Sequence, residues 1–305
     1  MIEAVFLHEC AGSCTALLAL PGVVGEAAGR MRLCRFDTDR VGVLRGDMVV
    51  DVTSVLDSIP ATRWPIDPGD LLIANFDRLR GLIDQAALNG MPRHLADCAL
   101  KSPVANPSKI LGALKNYHEP ADDADYPVGT LDRDGLFLKA STSVIGPSEG
   151  IELTLPGRQH EHEVELAAVI GSWCRNVSRE SAMDHVAGYT VALDMTMKGT
   201  EERSLRKSLD GHTVLGPWLI TRDEIADPGS LGLWLQVNRQ ARQRGNTRNL
   251  LNDMPRLIEY ASSFFTLYPG DVILTGTPPG AGPVVSGDVI DAGIAGIGSM
   301  RVEVR

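Results

Sequence analysis

The sequence predicts a β-rich α+β fold built mainly from antiparallel strands. Short apolar segments recur along the chain, and tight turns such as Arg45-Gly46-Asp47 and Pro269-Gly270-Asp271 bound several of them. Only two longer stretches, 71–88 and 254–265, carry apolar residues at helical spacing. Many short strands with few helices between them favour a mixed sheet over a doubly wound parallel sheet.

Composition narrows the classes of function. The chain has 305 residues and a formal net charge of -10, without a basic cluster interleaved with aromatic residues, which argues against nucleic acid as a partner. Its longest apolar run, 16–24, is broken by Pro21 and Gly22 and is shorter than the roughly 18 residues of a membrane helix. Five scattered cysteines without Cys-x-x-Cys spacing indicate a reducing cytoplasm. We therefore expect a soluble, cytoplasmic protein that acts on small molecules.

Three regions are expected along the chain. Residues 1–30 are interpreted as a flexible leader, because Glu3 stands where a secretion signal would be positively charged. Residues 31–100 predict a small α+β domain and residues 101–305 a larger catalytic domain, with prolines and Asn106 marking the boundary.

Local patterns predict the elements of the small domain. Strands are expected over 32–36, 41–44 and 48–52, with a tight turn at Arg45-Gly46-Asp47 between the last two. A helix is expected over 71–88, ending at Asn89-Gly90.

The larger region begins with a strand over 109–114. The acidic, aperiodic residues 119–134 are typical of a functional lid or a disordered segment. Further along, the expected elements are a short helix over 179–187 capped by Ser178, a strand over 189–193 closed by Asp194, a helix over 254–265 capped by Asp253, and turn-and-strand units at 269–274 and 286–290.

Acidic residues occupy every second position of the segment that begins at Glu161. In one extended strand Glu161, Glu163 and Glu165 would share a face, whereas His160 and His162 would face the other way and are not expected as ligands. Carboxylates about 4 Å apart repel by roughly 4 kcal/mol near a protein surface, which favours a bound cation. Together with Asp194, Glu163 and Glu165 would suit Mg²⁺, Mn²⁺ or Ca²⁺. Taken alone, the spacing favours a solvated strand face over a metal site.

The acidic segment is one of several motifs in a characteristic order. They are Glu161–Gly171, Asn176–Ser178, Ala187–Val191, Asp194, Lys207-Ser208, Leu215–Trp218, Asn238, Asn246-Thr247 and Pro269–Pro278. Over roughly 109–305 this series resembles the fumarylacetoacetate hydrolase family, and the hairpin region from Met31 resembles the small N-terminal domain of bacterial members. The resemblance implies a catalytic domain of mixed, rolled β-sheets, a homodimer, and a Mg²⁺ or Mn²⁺ ion used on 2-oxo acids such as acylpyruvates from aromatic or sugar catabolism.

The same resemblance implies roles for individual side chains. The metal ligands would be Glu163, Glu165 and Asp194, and Lys207 would stabilise the enolate or oxyanion that forms when the bond β to the ketone breaks. The remaining residues expected to contact substrate are Tyr117, Lys139, Lys198 and Thr277. A divalent ion that polarises the ketone serves hydrolysis, decarboxylation and tautomerisation alike, since all three pass through an enolate.

The chain departs from the family in the segment that activates water. Hydrolytic members carry Asn-Tyr-x-x-His-x-x-Glu, whose His and Glu act on water. Here Pro120 occupies the His position and Asp123 the Glu position. His118 or Glu119 could supply a base from a shifted loop, or both are ordinary loop residues.

A second departure follows Asp194. Lys198 and Glu201 replace a family Arg and Gln, and a lysine offers only a point charge where the arginine binds a substrate carboxylate with two hydrogen bonds. Arg203 and Arg206 could compensate, or they could form surface salt bridges with Glu201 and Glu202.

Three functions are therefore carried forward. The leading hypothesis is a divalent-metal-dependent hydrolase that cleaves a C–C bond in an acylpyruvate or 2,4-dioxo acid. The second is an isomerase, decarboxylase or dehydratase acting on a hydroxymuconate-like or oxaloacetate-like 2-oxo acid. The third is a metabolite-binding protein without turnover.

Overall fold

The computed structural model describes residues 31–118, 131–155 and 157–305. Within them the strands are β1 Arg32–Phe36, β2 Arg40–Arg45, β3 Met48–Asp51, β4 Pro92–His94, β5 Leu100–Lys101, β6 Ile110–Ala113, β7 Leu136–Lys139, β8 Val144–Ile145, β9 His160–His162, β10 Val164–Ile170, β11 Val186–Asp194, β12 Thr196–Met197, β13 Thr213–Thr221, β14 Gly232–Val237, β15 Gln240–Asn246, β16 Val272–Leu274, β17 Gly282–Val284, β18 Val289–Ile294 and β19 Gly298–Glu303. The α-helices of the same residues are α1 Leu71–Ala74, α2 Phe76–Asn89, α3 Leu131–Asp134, α4 Arg203–Lys207 and α5 Met254–Phe264. Short 3₁₀ helices lie at Thr53–Ser58, Leu95–Asp97, Ser141–Ser143, Ala182–His185, Arg222–Glu224, Pro228–Ser230 and Thr247–Asn249.

One large sheet organises the described chain. Its order is β4-β3-β2-β1-β13-β11-β10-β16-β6-β7, with β5 beside β1 and β8 beside β13. Smaller sheets follow the orders β12-β9-β17 and β15-β14-β18-β19. The pairs β6–β16 and β8–β13 are parallel, whereas neighbours such as β10–β11 and β11–β13 are antiparallel. The predicted β-rich, mostly antiparallel α+β class is confirmed.

The N-terminal strands join this sheet directly. Strand β1 pairs with β13, Arg32 lying opposite Ile220 and Leu33 opposite Leu219. The predicted small domain therefore shares backbone hydrogen bonds with the larger region, and the division near residue 100 stays a prediction.

Strand β10 is buried on both faces. Every residue from Val164 to Ile170 is buried. Leu166, Ala168 and Ile170 pack in one hydrophobic cluster, and Ala167 and Val169 pack in a second cluster on the other face. This double burial explains why the segment reads as a continuous apolar run after Glu165.

Most predicted elements are confirmed. The strands β1, β2 and β3 form the expected antiparallel ladder, and the helix after Asp253 begins at Met254. The carboxylate of Asp253 caps this helix by accepting from the Arg256 N–H at 3.0 Å. The helix predicted over 71–88 is present but divided at Asn75, whose side-chain amide donates to the Leu71 carbonyl.

Two local predictions were wrong. The helix expected over 179–187 is only a 3₁₀ turn, Ala182–His185, because Val186 already pairs in the sheet. The single strand expected through Glu161–Ile170 is two strands in different sheets, interrupted at Glu163. The end of the aperiodic segment, Leu131–Asp134, is helical, while residues 119–130 lie outside the described chain. Among the described residues, no helix has the length and apolar character needed to cross a membrane.

Candidate metal centre

Two neighbouring strands bring the predicted carboxylates together. Strands β10 and β11 run antiparallel with Val164 opposite Leu193, so the start of one lies beside the end of the other. The Asp194 N–H donates to the Glu163 carbonyl at 2.9 Å. Glu163, Glu165 and Asp194 each offer an oxygen within 4.8 Å of the other two. Residues some thirty positions apart in sequence thus form one cluster.

Two lysines neutralise part of this cluster. Lys139 donates to Asp194 and to the His212 carbonyl, at 2.7 Å for the latter, and its side chain is fully buried. Lys207 donates to Glu163 at 2.9 Å and to Asp194. Burial alone would raise the pKa of Asp194, but these two ammonium groups lower it below its ordinary value. Burial would lower the pKa of Lys207, but Asp194, Glu163 and Glu165 raise it above its ordinary value, so Lys207 is cationic at neutral pH.

Glu165 is the carboxylate of the cluster that accepts from a backbone N–H and not from a lysine. Its carboxylate is buried and accepts from the Gly276 N–H at 2.6 Å. Burial, reinforced by Asp194 and Glu163, raises the pKa of Glu165 well above its ordinary value. Three carboxylates face two ammonium groups, and all the donors are hard oxygens, which is the ligand chemistry of Mg²⁺, Mn²⁺ and Ca²⁺. The residues therefore fit a divalent cation.

The cluster opens into a cavity of about 550 Å³. Glu161, Glu163 and Glu165 contribute its acidic wall, and the Thr277–Ala281 turn and Phe137 contribute a less polar wall. Its cationic lining residues are Lys115, Lys198, Arg203, Arg206 and Lys207. A larger cavity of about 830 Å³ lies elsewhere, over Tyr189 and Met254, and contains none of the clustered carboxylates. The smaller cavity is thus the one that fits an anionic substrate beside a metal ion.

Thr277 is held in the cavity wall by a buried glutamine. The Thr277 hydroxyl donates to the Val164 carbonyl and accepts from the Gln243 amide, both at 2.8 Å. Gln243 also donates to the Pro278 carbonyl at 2.8 Å and accepts from the Val164 N–H at 3.1 Å. Gln243 therefore ties the end of the acidic segment to the Thr277 turn.

Two predicted substrate contacts lie behind the cavity wall. Tyr117 is buried, and its hydroxyl has no hydrogen-bond partner among the described residues. Burial, with the nearby Glu165 charge, raises its pKa above the ordinary value. Lys139 has no exposed side-chain surface, and its ammonium contacts Asp194 from behind. Both residues are buried, and neither lines the cavity.

Of the predicted water-activating residues, only His118 belongs to the described part of the chain, and it does not line the cavity at the cluster. His118 is exposed, and its backbone N–H donates to the Asn249 carbonyl at 3.0 Å. Glu119 and Asp123, together with Pro120, lie outside the described residues.

The two histidines beside the acidic positions are buried on the other side of the strand. His160 Nδ1 lies 2.9 Å from His212 Nε2, and His162 Nδ1 lies 3.1 Å from Gln243 Oε1. Neither belongs to the carboxylate group that could hold a metal.

The cationic residues after Asp194 differ in their partners. Lys198 pairs with Glu161 at 3.0 Å. Arg206 donates to the backbone carbonyls of Glu201 and Met197, so it braces the loop. Glu201 pairs instead with Arg158, and this hydrogen-bonded pair lowers the Glu201 pKa to about 2. The predicted salt bridges from Arg203 and Arg206 to Glu201 and Glu202 are absent from the described structure.

Sequence patterns missed Gln243 and His212. Gln243 lies in Gln240–Asn246, a polar strand whose composition suggests full exposure, yet its side chain is buried. The backbone carbonyl of His212 accepts from Lys139, and such a contact does not depend on which side chain stands at position 212. Both contacts join residues far apart in sequence, so no local signal could have found them.

The site combines three buried or half-buried carboxylates with two lysines and an adjoining polar cavity, on a sheet-rich fold. This combination is typical of enzymes that use a divalent cation on oxygen-rich small molecules. Residues 109–305 match the family model described as fumarylacetoacetate (FAA) hydrolase C-terminal. The chain belongs to this family.

Individual relatives cover nearly the whole chain. Maleylpyruvate hydrolase of Aquipseudomonas alcaligenes is 46% identical over 90% of this chain and 99% of its own length. A crystal structure of maleylpyruvate hydrolase from Sphingobium sp. SYK-6, in complex with manganese(II) and pyruvate, is 41% identical with a TM-score of 0.78, covering 90% of this chain and 98% of that one. A 5-carboxymethyl-2-hydroxymuconate delta-isomerase structure from Mycobacterium smegmatis is 32% identical with a TM-score of 0.69, covering 90% and 98%.

These relatives confirm the family prediction and the predicted class of enzyme. The protein is an enzyme of the fumarylacetoacetate hydrolase family, whose members include hydrolases and isomerases acting on ketonic substrates. A divalent cation as cofactor is supported by the carboxylate cluster and by the manganese-bound relative.

Proposed function

We propose that this enzyme hydrolyses maleylpyruvate or a closely related unsaturated 2,4-dioxo diacid, using Mg²⁺ or Mn²⁺. The observation that carries the proposal is the 46% identity to a maleylpyruvate hydrolase across 90% of the chain, combined with the Glu163, Glu165 and Asp194 cluster. Aromatic-compound catabolism is the setting in which such diketo acids arise.

The proposed reaction is balanced by one water molecule. Water adds to the carbonyl carbon at position 4 of the substrate, and the bond between carbons 3 and 4 breaks. The electron pair moves to carbon 3, where it is conjugated with the 2-oxo group, and a proton from solvent converts it to pyruvate. The other fragment leaves as maleate. A divalent cation held by the three carboxylates would supply Lewis-acid polarisation of the 2-oxo group.

Lys207 is the side chain best suited to the negative charge that develops. It lines the cavity and lies 2.9 Å from Glu163, and its raised pKa keeps it protonated at neutral pH. A fixed ammonium group beside the 2-oxo oxygen favours the enolate over the ketone. Lys139 orients Asp194 from behind, and we assign it positioning of that ligand in place of substrate contact.

Thr277 and Lys198 are proposed to contact the substrate from the cavity wall. Thr277 lines the cavity, although its hydroxyl proton is directed to the Val164 carbonyl. Lys198 shares the cavity with its ion-pair partner Glu161. The water-activating role of His118, Glu119 or Asp123, and the substrate contact of Tyr117, stay predictions from sequence.

The test is metal-dependent release of pyruvate. Purified protein is stripped with chelator, reloaded with Mg²⁺ or Mn²⁺, and assayed against maleylpyruvate, fumarylpyruvate and acetylpyruvate with a coupled pyruvate readout. We expect turnover only with metal, one ¹⁸O atom from labelled water in the maleate product, and loss of turnover in Glu165→Ala.

Other outcomes would point to the remaining functions. A change in diene absorbance with hydroxymuconate substrates and no pyruvate release would indicate an isomerase, as in the Mycobacterium smegmatis relative. Release of CO₂ from oxaloacetate would indicate a decarboxylase. Tight oxalate binding without turnover of any substrate would indicate a binding protein.

We further propose a homodimer located in the cytoplasm. Family resemblance supports the dimer, and the scattered cysteines, of which Cys34, Cys98 and Cys174 are free and buried, support a reducing compartment. Light scattering on purified protein checks the assembly: a mass of one chain would contradict it.

A further inference from the structure

Helix α4 contributes three cationic residues, Arg203, Arg206 and Lys207, to the lining of the metal-centre cavity. Arg203 begins the helix and Lys207 ends it, and both line the cavity. Positions i and i+4 lie on one face of a helix, about 6 Å apart along its axis. Lys207 is at the carboxylate cluster, so Arg203 stands one turn away from the metal ligands. Glu202 fixes where the helix begins by accepting from the Ser204 N–H at 2.7 Å.

Arg203 differs from its neighbours in having no partner among the described residues. Lys198 forms an ion pair with Glu161, and Arg206 donates to two backbone carbonyls. Glu201 accepts two hydrogen bonds from Arg158, at 3.0 and 2.8 Å. Glu202, next to Arg203 in sequence, is engaged by the helix cap. The Arg203 guanidinium therefore keeps its hydrogen-bond donors for a ligand in the cavity.

We propose that Arg203 binds the carboxylate at the far end of the substrate and so selects diacids over monoacids. This inference rests on the proposed function, in which the 2-oxo acid end of the substrate occupies the metal centre. A guanidinium can bind a carboxylate with two parallel hydrogen bonds, which a lysine cannot do. Lys198 also lines the cavity, but its ammonium group is already paired with Glu161.

The experiment compares one diacid with one monoacid that share the same reacting group. Maleylpyruvate carries the second carboxylate, and acetylpyruvate has a methyl group instead. Steady-state kinetics are measured for wild type, Arg203→Ala and Arg203→Lys with metal present. Arg301→Ala serves as control, because it removes an exposed arginine paired with Asp291 outside the cavity.

For maleylpyruvate we expect Arg203→Ala to lower kcat/KM by about 10- to 100-fold, mainly through KM, as for loss of a charge-assisted hydrogen bond. Arg203→Lys should recover part of the loss. For acetylpyruvate the variant should stay within about twofold of wild type, and Arg301→Ala should match wild type on both substrates. Calorimetric titration with maleate, the diacid product, should show weaker binding to Arg203→Ala without a change in melting temperature.

The outcomes distinguish a failure of this inference from a failure of the proposed function. If wild type hydrolyses neither substrate, the proposed function fails. If wild type hydrolyses both but Arg203→Ala loses the same factor on each, or loses nothing on maleylpyruvate, hydrolysis stands and the role of Arg203 is overturned.

Discussion

Charges at the candidate metal centre alternate in sign from one side chain to the next. Lys139 contacts Asp194, Asp194 contacts Lys207, and Lys207 contacts Glu163. Each buried charge therefore has an opposite partner, as buried ions require. Glu165 is the exception, since its hydrogen-bond donor is the neutral Gly276 N–H. A carboxylate without a hydrogen-bonded cation, here that of Glu165, favours binding of a metal ion at the cluster.

Substitution of Glu165 should move stability and metal affinity in opposite directions. In Glu165→Gln the repulsion from Asp194 and Glu163 is gone, so we expect the metal-free melting temperature to stay level or rise. Mn²⁺ affinity, measured by calorimetric titration, should fall by about tenfold or more, because an anionic ligand is lost. Glu303→Gln, in an exposed pair with Arg305, is the control and should change neither quantity. A variant that binds Mn²⁺ like wild type would contradict the assignment of Glu165 as a ligand.

Gln243 should matter for both stability and substrate affinity. Gln243→Leu leaves the buried N–H of Val164 and the ring of His162 without their acceptor, and we expect a loss of about 2–4 kcal/mol in urea unfolding. Gln243→Glu keeps an acceptor but removes the donor to Thr277 and Pro278, so it should raise KM while retaining more stability. Equal effects of the two substitutions on KM and on stability would argue against this division of roles.

Helices and strands decide where the site can form. The acidic segment is interrupted at Glu163, where the chain passes from the three-stranded sheet into the large sheet. An unbroken strand would hold its glutamates at fixed alternate positions. Glu163 instead lies between the two strands and Glu165 lies within β10, and each offers an oxygen close to Asp194. Helix α4 and the Thr277 turn then close the cavity from its other sides.

Two helix caps of the same residue type should differ in their contribution to stability. Asp253 accepts from one backbone N–H at the start of α5 and from the exposed guanidinium of Arg179, so Asp253→Ala should cost about 1 kcal/mol. Asp70 is buried and accepts from Leu72, Ile73, Ala105 and Asn106, so Asp70→Ala should cost about 3 kcal/mol or more. Urea unfolding of both variants measures the difference. Asp253→Asn, which keeps a capping oxygen, should lie near wild type, and equal losses at positions 70 and 253 would refute the argument.

At the scale of the whole molecule, folding buries three histidines in surroundings that favour their neutral form. His160, His162 and His212 are all buried, and burial lowers the pKa of each, that of His212 to about 4. The first two meet partners from other parts of the fold, His212 and Gln243. At mildly acidic pH these histidines therefore bind fewer protons in the folded protein than in the unfolded chain.

Stability should consequently fall on mild acidification. Because the folded pKa of His212 lies below its unfolded value of 6.5, the unfolded state binds more protons between pH 6.5 and about 4, and stability is lost as pH falls through that window. The loss from His212 alone approaches about 3 kcal/mol at the acid end. Melting temperatures of metal-loaded protein across this range, compared with His212→Gln, test the effect. A variant with the same pH dependence as wild type would show that His212 is not responsible.

Local patterns were sufficient for much of the fold. Alternating apolar residues and turn signals predicted β1, β2 and β3, and capping residues predicted α5, because these elements depend on neighbours in sequence. The 3₁₀ turn at Ala182–His185 was mistaken for a longer helix, since sheet pairing at Val186 overrides local helix preference. The carboxylate cluster could be proposed only because Asp194 closes a strand and the motif order resembled a known family.

The sequence alone determined the β-rich class, the family and the three candidate ligands, since strand alternation and motif order are properties of the chain itself. The tertiary structure decided which charged side chains remain unpaired and can bind a ligand in the cavity. It placed Lys139 behind Asp194, paired Lys198 with Glu161, and left Arg203 facing the cavity. Whether a charged side chain is paired depends on distances between strands and loops far apart in sequence, and only the folded chain sets those distances. The acidic segment at Glu161–Glu165 is therefore a candidate metal centre because of its neighbours in space.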